Sequence, residues 1–242
     1  MTSSRWHAHG NVYLVLEGEP YVHEDGLDGA VDVLAVDGDL MDIAIVNPDG
    51  SHAEMSGNGT RIAGAWLMER TGNDTARVRV GPRLVEVRRT GDGLYESELG
   101  AATVVARERI AGLEVAVVDV GNPHAVVVGD PDDIELIGPL LETHPRFPNR
   151  TNVQVARVDG PGEVTARVWE RGVGETTASG SSAVAVAAAT HGEGDVVVHF
   201  PGGDLRVRLE SGRATLTGPA QKVQNGLGCE KDSVSRCDTG RG

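Results

Sequence analysis

Glu54-Met55-Ser56-Gly57-Asn58-Gly59-Thr60-Arg61-Ile62-Ala63 and Thr177-Ala178-Ser179-Gly180-Ser181-Ser182-Ala183-Val184-Ala185-Val186 are the two stretches that organise this chain. Each is Ser-Gly followed by two small residues. Each then opens a helical pattern rich in Ala and β-branched residues, over 59–70 and 181–191. Each follows a strand-like run and a polar turn, Asn47-Pro48-Asp49-Gly50 in one case and Glu170-Arg171-Gly172-Val173-Gly174 in the other. Ser56 and Ser179 lie 123 positions apart, which makes them equivalent points of two related halves. The expected divide is near residue 112, giving an N-terminal half 1–112 and a C-terminal half 113–213, with 214–223 returning to the first half.

Outward from these two points, the text is dominated by short Val-, Ile- and Leu-rich runs. They fall at 12–16, 31–36, 41–46, 76–80, 84–88, 115–120, 125–128, 153–158, 164–169, 196–200, 205–209 and 214–217. Turn residues such as Asp25-Gly26, Asp37-Gly38, Gly91-Asp92-Gly93 and Pro201-Gly202-Gly203 punctuate them. One further helix is expected over 134–143. Many strands with few helices predict a β-rich α+β protein. Periodicity ends after Val223, so 224–242 is expected to be a disordered tail.

Composition removes several classes of function. The chain has 242 residues, enough for one large or two small cores. Its net charge of −14 disfavours a nucleic-acid or anionic-membrane binder, which needs a basic stripe to neutralise phosphates. No apolar run approaches the length of a membrane span, and the opening MTSSRWHAHG has no signal core, so a cytoplasmic protein is expected. The two cysteines, Cys229 and Cys237, stand near the C-terminus, which excludes a disulfide framework or a thiolate zinc site in the body. The only lysines are Lys222 and Lys231. Neither suits a pyridoxal-phosphate Schiff base or a P-loop. His7-x-His9 lacks a third metal ligand, Gly57-Asn58-Gly59 lacks the rest of a dinucleotide fingerprint, and neither serine sits in Gly-x-Ser-x-Gly. No metal is expected.

A helix N-terminus leaves backbone N–H groups unpaired and carries partial positive charge. Glycine lets a ligand approach those groups closely, so each Ser-Gly start is a ready carboxylate site. Two of them could clamp one carboxylate, with Ser56 and Ser179 on opposite sides of the bound molecule. That geometry removes a proton from one face of an α-carbon and returns one to the other. Ser-Gly before a helix is also an ordinary N-cap, and for either site alone that explanation prevails. Repetition, the flanking Asn, Glu and Arg residues, and the lack of a competing site reverse the judgement for the pair.

The span from Asn47 to Arg61 resembles the first signature of the diaminopimelate epimerases, and Glu170 to Gly180 resembles the second. Gly121-Asn122-Pro123-His124 and Arg150-Thr151-Asn152 match two further family elements, and Trp6 to Tyr13 is a looser match to the N-terminal strand. The resemblance runs from residue 5 to about 223. It implies two similar β-rich barrel-like domains, each around a central helix, with the active site in the cleft between them and no cofactor. It also implies a small amino-acid substrate, with inversion of LL-diaminopimelate to the meso form as the best single choice, and a homodimer. By residue-wise transfer Asn11, Asn47, Asn122, Asn152, Glu170 and Arg171 would bind substrate. Backbone N–H groups of Gly57, Asn58, Gly180 and Ser181 would hold its carboxylate.

One departure from the family is chemical. Its two proton-transfer cysteines are replaced here by Ser56 and Ser179. A thiol ionises near ~8.5 and an alcohol near water's ~15.7, a gap of roughly 10 kcal/mol. A helix terminus contributes only ~0.3–2 kcal/mol. A serine base therefore needs a neighbouring group to take its proton, and His52, Glu54, His124 and Glu170 are the nearby candidates. Val12 stands where the family often carries an acid, and the turn near Asp25 to Gly29 is short. The alternatives left open are a serine-type isomerase, an amino-acid-binding homologue without catalysis, a related proton-shuttling isomerase or lyase, and engineered serines. The absence of cysteine throughout 1–228 weighs against the last.

Overall fold

The computed structural model describes residues 2–22, 24–53 and 55–223. The tail expected over 224–242, with Cys229 and Cys237, lies outside the described residues, as does Glu54. The chain begins with a hairpin of β1 (Thr2–Ala8) and β2 (Asn11–Glu17), turned by His9 and Gly10, both at positive φ. Then come β3 (Gly29–Asp37), β4 (Leu40–Val46), the short β5 (His52–Ala53) and helix α1 (Gly57–Thr71). β6 (Thr75–Val80), β7 (Arg83–Gly91), β8 (Leu94–Ala101) and β9 (Thr103–Ile110) follow.

The second run is β10 (Leu113–Asp119), β11 (Pro123–Val128), α2 (Ile134–Glu142), β12 (Asn152–Gly160), β13 (Glu163–Glu170) and β14 (Gly174–Thr176). Helix α3 (Gly180–Thr190) leads to β15 (Gly194–Phe200), β16 (Gly203–Glu210), β17 (Arg213–Pro219) and β18 (Gln221–Lys222). The fold is α+β, two β-rich barrel-like assemblies each around a buried helix.

Strand pairing repeats along the chain. β2–β3 is parallel, β3–β4 and β4–β5 antiparallel, and β4–β6 parallel across α1. β11–β12, β12–β13, β13–β14 and β13–β15 across α3 reproduce that series in the same senses. A parallel return needs a long crossover, and each helix supplies it. The equivalent strands β8 and β17 pair with each other, and β18 pairs with β1. The expected strand runs are all found; β1 was anticipated only through the resemblance, the short β5, β14 and β18 were not anticipated, and neither were the longer β8 and β9. Their alternating acids and bases (Glu96, Glu98, Arg107, Arg109) break up the apolar run that marks a strand in sequence.

Neither α1 nor α3 has a polar face, because each is enclosed. α3 buries every residue from Gly180 to Ala189. α1 buries Gly57 to Ala65, Leu67 and Met68. A helix buried on all sides lacks the one-sided apolar stripe of a surface helix. α2 lies outside, packed on β12 and β13, and keeps Leu136 exposed. Among the described residues no helix is long and apolar enough to cross a membrane.

Enclosure predicts how α1 responds to truncation. Ile62 and Leu67 are both fully buried and point about 140° apart at ~100° per residue. Ile62→Ala and Leu67→Ala should each cost about 2–5 kcal/mol, lowering the melting temperature by roughly 4–20 °C. Thermal unfolding of the two variants checks this. A large loss at only one of them would mean that α1 has an open side.

Candidate active site

The two enclosed helices meet end to end. A Cβ built on Gly57 would lie 3.0 Å from Gly180 Cα, and one built on Gly180 would lie 3.1 Å from Gly57 Cα. Only glycine at both positions lets the helix starts approach this closely. Side chains fasten the contact from behind. Asn11 Nδ2 donates to Ala178 O at 2.7 Å and Asn58 Nδ2 donates to the same oxygen at 3.3 Å. The fully buried Arg61 donates to Pro219 O at 2.9 Å, Gly57 O at 3.3 Å and Asn58 Oδ1 at 2.9 Å. Burial lowers the Arg61 pKa to about 10, so it stays cationic at neutral pH.

The cleft in front of the contact has a volume of about 450 Å³ and is lined by Ser56, Gly57, Asn58, Ser179, Gly180 and Ser181 from the helix starts. Asn47, Asn122, Asn152, Glu170 and Arg171 complete the set expected from sequence. Asn11 does not line it. It is buried, with its amide donating to the Ala178 carbonyl. Tyr13 lines the cleft and was missed in sequence. Its signal was position: two residues after Asn11 on one strand, it faces the same way.

The two serines have different surroundings. Both are N-caps in extended backbone, Ser56 at φ −140° and Ser179 at φ −142°. Ser56 Oγ accepts the Gly59 N–H at 3.0 Å and lies 3.2 Å from the Tyr13 hydroxyl. Ser179 makes no such cap. Its hydroxyl lies near the Glu170 carboxyl and opposes the rise in that group's pKa. Burial pushes the Glu170 carboxyl above the usual carboxylate range, against the opposing hydroxyls of Thr176 (2.6 Å) and Ser179. No hydrogen-bond partner is found among the described residues for the N–H groups of Gly57, Asn58, Gly180 and Ser181, and all four residues line this cleft.

The histidine candidates for serine activation fare poorly. His52 is exposed. His124 is fully buried, with Nε2 2.9 Å from Asn122 Oδ1 and Nδ1 3.0 Å from Gln154 Nε2. An amide N–H at Nδ1 makes that nitrogen the acceptor, so the network assigns the proton to Nε2, which donates to Asn122. His124 therefore touches neither serine and orients Asn122, whose NH2 group is left for a ligand. Burial lowers the His124 pKa to about 3. Asn152 is tied on both sides, donating to Pro123 O at 3.1 Å and accepting the Arg171 N–H at 3.0 Å. Buried Glu142 accepts Trp169 Nε1 and the Gly172 N–H, both at 2.8 Å, and so fixes the turn carrying Glu170 and Arg171. Among the described residues no group of His, Cys, Asp or Glu could hold a metal ion, His7 and His9 included.

Comparison with known proteins places the chain in a family. A sequence model of the family described as diaminopimelate epimerase matches residues 116–223. The diaminopimelate epimerase of Pelotomaculum thermopropionicum is 37% identical, the alignment covering 83% of each chain. That of Desulfitobacterium hafniense is 38% identical over 84% of this chain and 82% of its own. The chain belongs to the diaminopimelate epimerase family. It is an isomerase of that kind, an amino-acid epimerase-like enzyme. A probable proline racemase from Agrobacterium radiobacter, solved with bound carbonate, superposes with a TM-score of 0.73 over 94% of this chain and 93% of its own. Its 13% identity makes that a likeness of fold alone.

The buried histidine predicts an acid limb in stability. His124 has a native pKa of about 3 against 6.5 when unfolded, so between these values the unfolded chain binds the extra proton. Stability is therefore lost as pH falls from about 6.5 toward 3, by roughly 3–5 kcal/mol at the acid end. His9, lowered to about 4 chiefly by burial, adds to the same limb. Urea unfolding across this range should show the fall, and His124→Gln should flatten it; an unchanged slope would remove His124 as its source.

Proposed function

We propose that this chain is a cofactor-independent epimerase that inverts the α-carbon of LL-diaminopimelate to give the meso form, with Ser56 and Ser179 at the two proton-transfer positions. The reading is supported by one observation, the abutting helix starts with a serine on each and, in the lining of one cleft, four residues whose N–H groups have no partner among the described residues. The carboxylate at the reacting carbon would bind those four groups, of Gly57, Asn58, Gly180 and Ser181. As the α-proton leaves, charge moves onto that carboxylate, where the amides already point. Arg171 suits the distal carboxylate through its fork of donors, and Asn47 and Asn122 suit the amino groups and their neighbours. Asn152 and Asn11 position the walls. The chain is read as two halves meeting near residue 112, with 214–223 laid back on the first.

Serine chemistry on one face is supported by Glu170. A buried carboxylate with a raised pKa is a stronger base. As Ser179 Oγ takes the α-proton, its own proton passes to Glu170, so no free alkoxide forms. The Cα–H bond breaks, its electron pair stays on carbon, and the negative charge of the carboxylate is cancelled by the proton it receives.

In D2O the protein should place deuterium at the α-carbon of LL-diaminopimelate, read by mass spectrometry, and incorporation no faster than background rejects catalysis. Ser56→Ala and Ser179→Ala should each slow inversion by roughly 10²–10⁴-fold. Replacing both serines by cysteine should raise turnover, since a thiol ionises about 7 units lower than an alcohol. The serine pair itself favours one second reading, amino-acid binding without inversion. Calorimetric binding of diaminopimelate with no isotope exchange would select it.

A further inference from the structure

The cleft contains a protic side chain that neither substrate binding nor the Ser179–Glu170 pair uses. Tyr13 on β2 is 9% exposed, and its ring lies over Gly29 of the parallel neighbour β3, with which it is in register. A Cβ on Gly29 would come within 2.8 Å of Tyr13 Cε1, so the ring occupies the space that glycine leaves. Among the described residues the phenol oxygen bonds Ser56 Oγ alone, at 3.2 Å. Ser56 Oγ also accepts the Gly59 N–H at 3.0 Å. A hydroxyl oxygen has two lone pairs and one proton. With Gly59 on one lone pair and the phenol O–H on the other, the serine proton is left to point into the cleft.

We propose that Tyr13 is the positioning residue and proton relay for the Ser56 face of the reaction. This rests on the epimerase reading above. As Ser56 Oγ–H gives its proton to the α-carbanion, the carbon electron pair forms the new C–H bond. Tyr13 O–H then gives its proton to Ser56 Oγ, and the negative charge comes to rest on the phenolate. Water in the cleft returns a proton to the phenolate after product leaves. In the reverse direction the phenolate takes the Ser56 proton while Ser56 takes the α-proton.

The relay answers the main objection to serine. An ordinary phenol ionises near ~10 and an alcohol near ~15.7, so the phenolate is the less costly anion by several kcal/mol. Burial above all, with Glu170 and Asp28, holds the Tyr13 phenol above its usual range, and Ser56 and the Arg61 guanidinium offset only part of that rise, which narrows the gap to an alcohol without closing it. Arg61 donates to two carbonyls and an amide and has no carboxylate partner among the described residues, so its charge is available to the phenolate. The two faces are then unlike, a carboxylate behind Ser179 and a phenol behind Ser56.

Tyr13→Phe keeps the ring and removes only the oxygen. Inversion of diaminopimelate should fall in kcat by roughly 10–100-fold, with KM changed by less than about threefold. Exchange of an α-hydrogen facing Ser179 should continue while inversion fails. In a Ser56→Cys background the thiol ionises on its own, near ~8.5, so adding Tyr13→Phe should cost about threefold or less. Equal losses in the two backgrounds, or no loss with Ser56 present, overturn the relay and leave the epimerase reading standing. A native protein that inverts nothing overturns both. Separately, the Tyr13 Cζ carbon signal, assigned by its loss in Tyr13→Phe, should move on Ser56→Ala; an unmoved signal overturns the contact.

Discussion

Two helix N-termini pressed against each other form the constraint on which the rest of this structure depends. Each end carries about half a positive charge, and like charges at van der Waals distance repel. The contact at Gly57 and Gly180 therefore has a standing electrostatic cost in the empty protein, which an anion between the ends relieves. Both helix starts satisfy their later N–H groups by ordinary means, Thr60 on Ser56 O and Ala183 on Ser179 O. The first ones are left for a ligand.

Holding such a contact together takes structure behind it. Each helix is wrapped by sheet on every side, so neither can slide back without exposing its core. The equivalent strands β8 and β17 pair with each other and tie the two assemblies through backbone bonds. Closer in, Asn11 and Asn58 converge on the Ala178 carbonyl, and Arg61 spans Gly57 and Pro219. Arg61 adds a further buried positive charge beneath the helix ends, an arrangement that stability alone does not favour. It deepens the preference for an anion in front.

The approximate two-fold repeat of the chain does not extend to the chemistry of its serines. Ser56 caps its own helix and is touched by a phenol, whereas Ser179 leaves its helix uncapped and lies near a carboxylate. An epimerase needs unlike protonation states at its two faces at every instant, one group ready to take a proton and one ready to give it. In the proposed mechanism, unlike partners would provide that difference from the outset. His124 stands apart from this exchange, neutral and buried, and its work is to hold Asn122.

The sequence by itself determined the two helix starts, most strand runs and the α+β class, and eleven of the twelve site residues expected from the helix starts and the family resemblance line one cleft. These are local properties: apolar alternation, glycine at a helix start, and spacing within a motif. Tertiary structure alone decided that Asn11 donates to the Ala178 carbonyl, that His124 supports Asn122, that Glu170 meets Ser179 and that Tyr13 meets Ser56. Tyr13 and Ser56 are 43 positions apart, and their contact exists because Tyr13 is registered opposite Gly29 on a parallel strand. Strand register and the missing Cβ set such contacts, and no pattern along the chain encodes them.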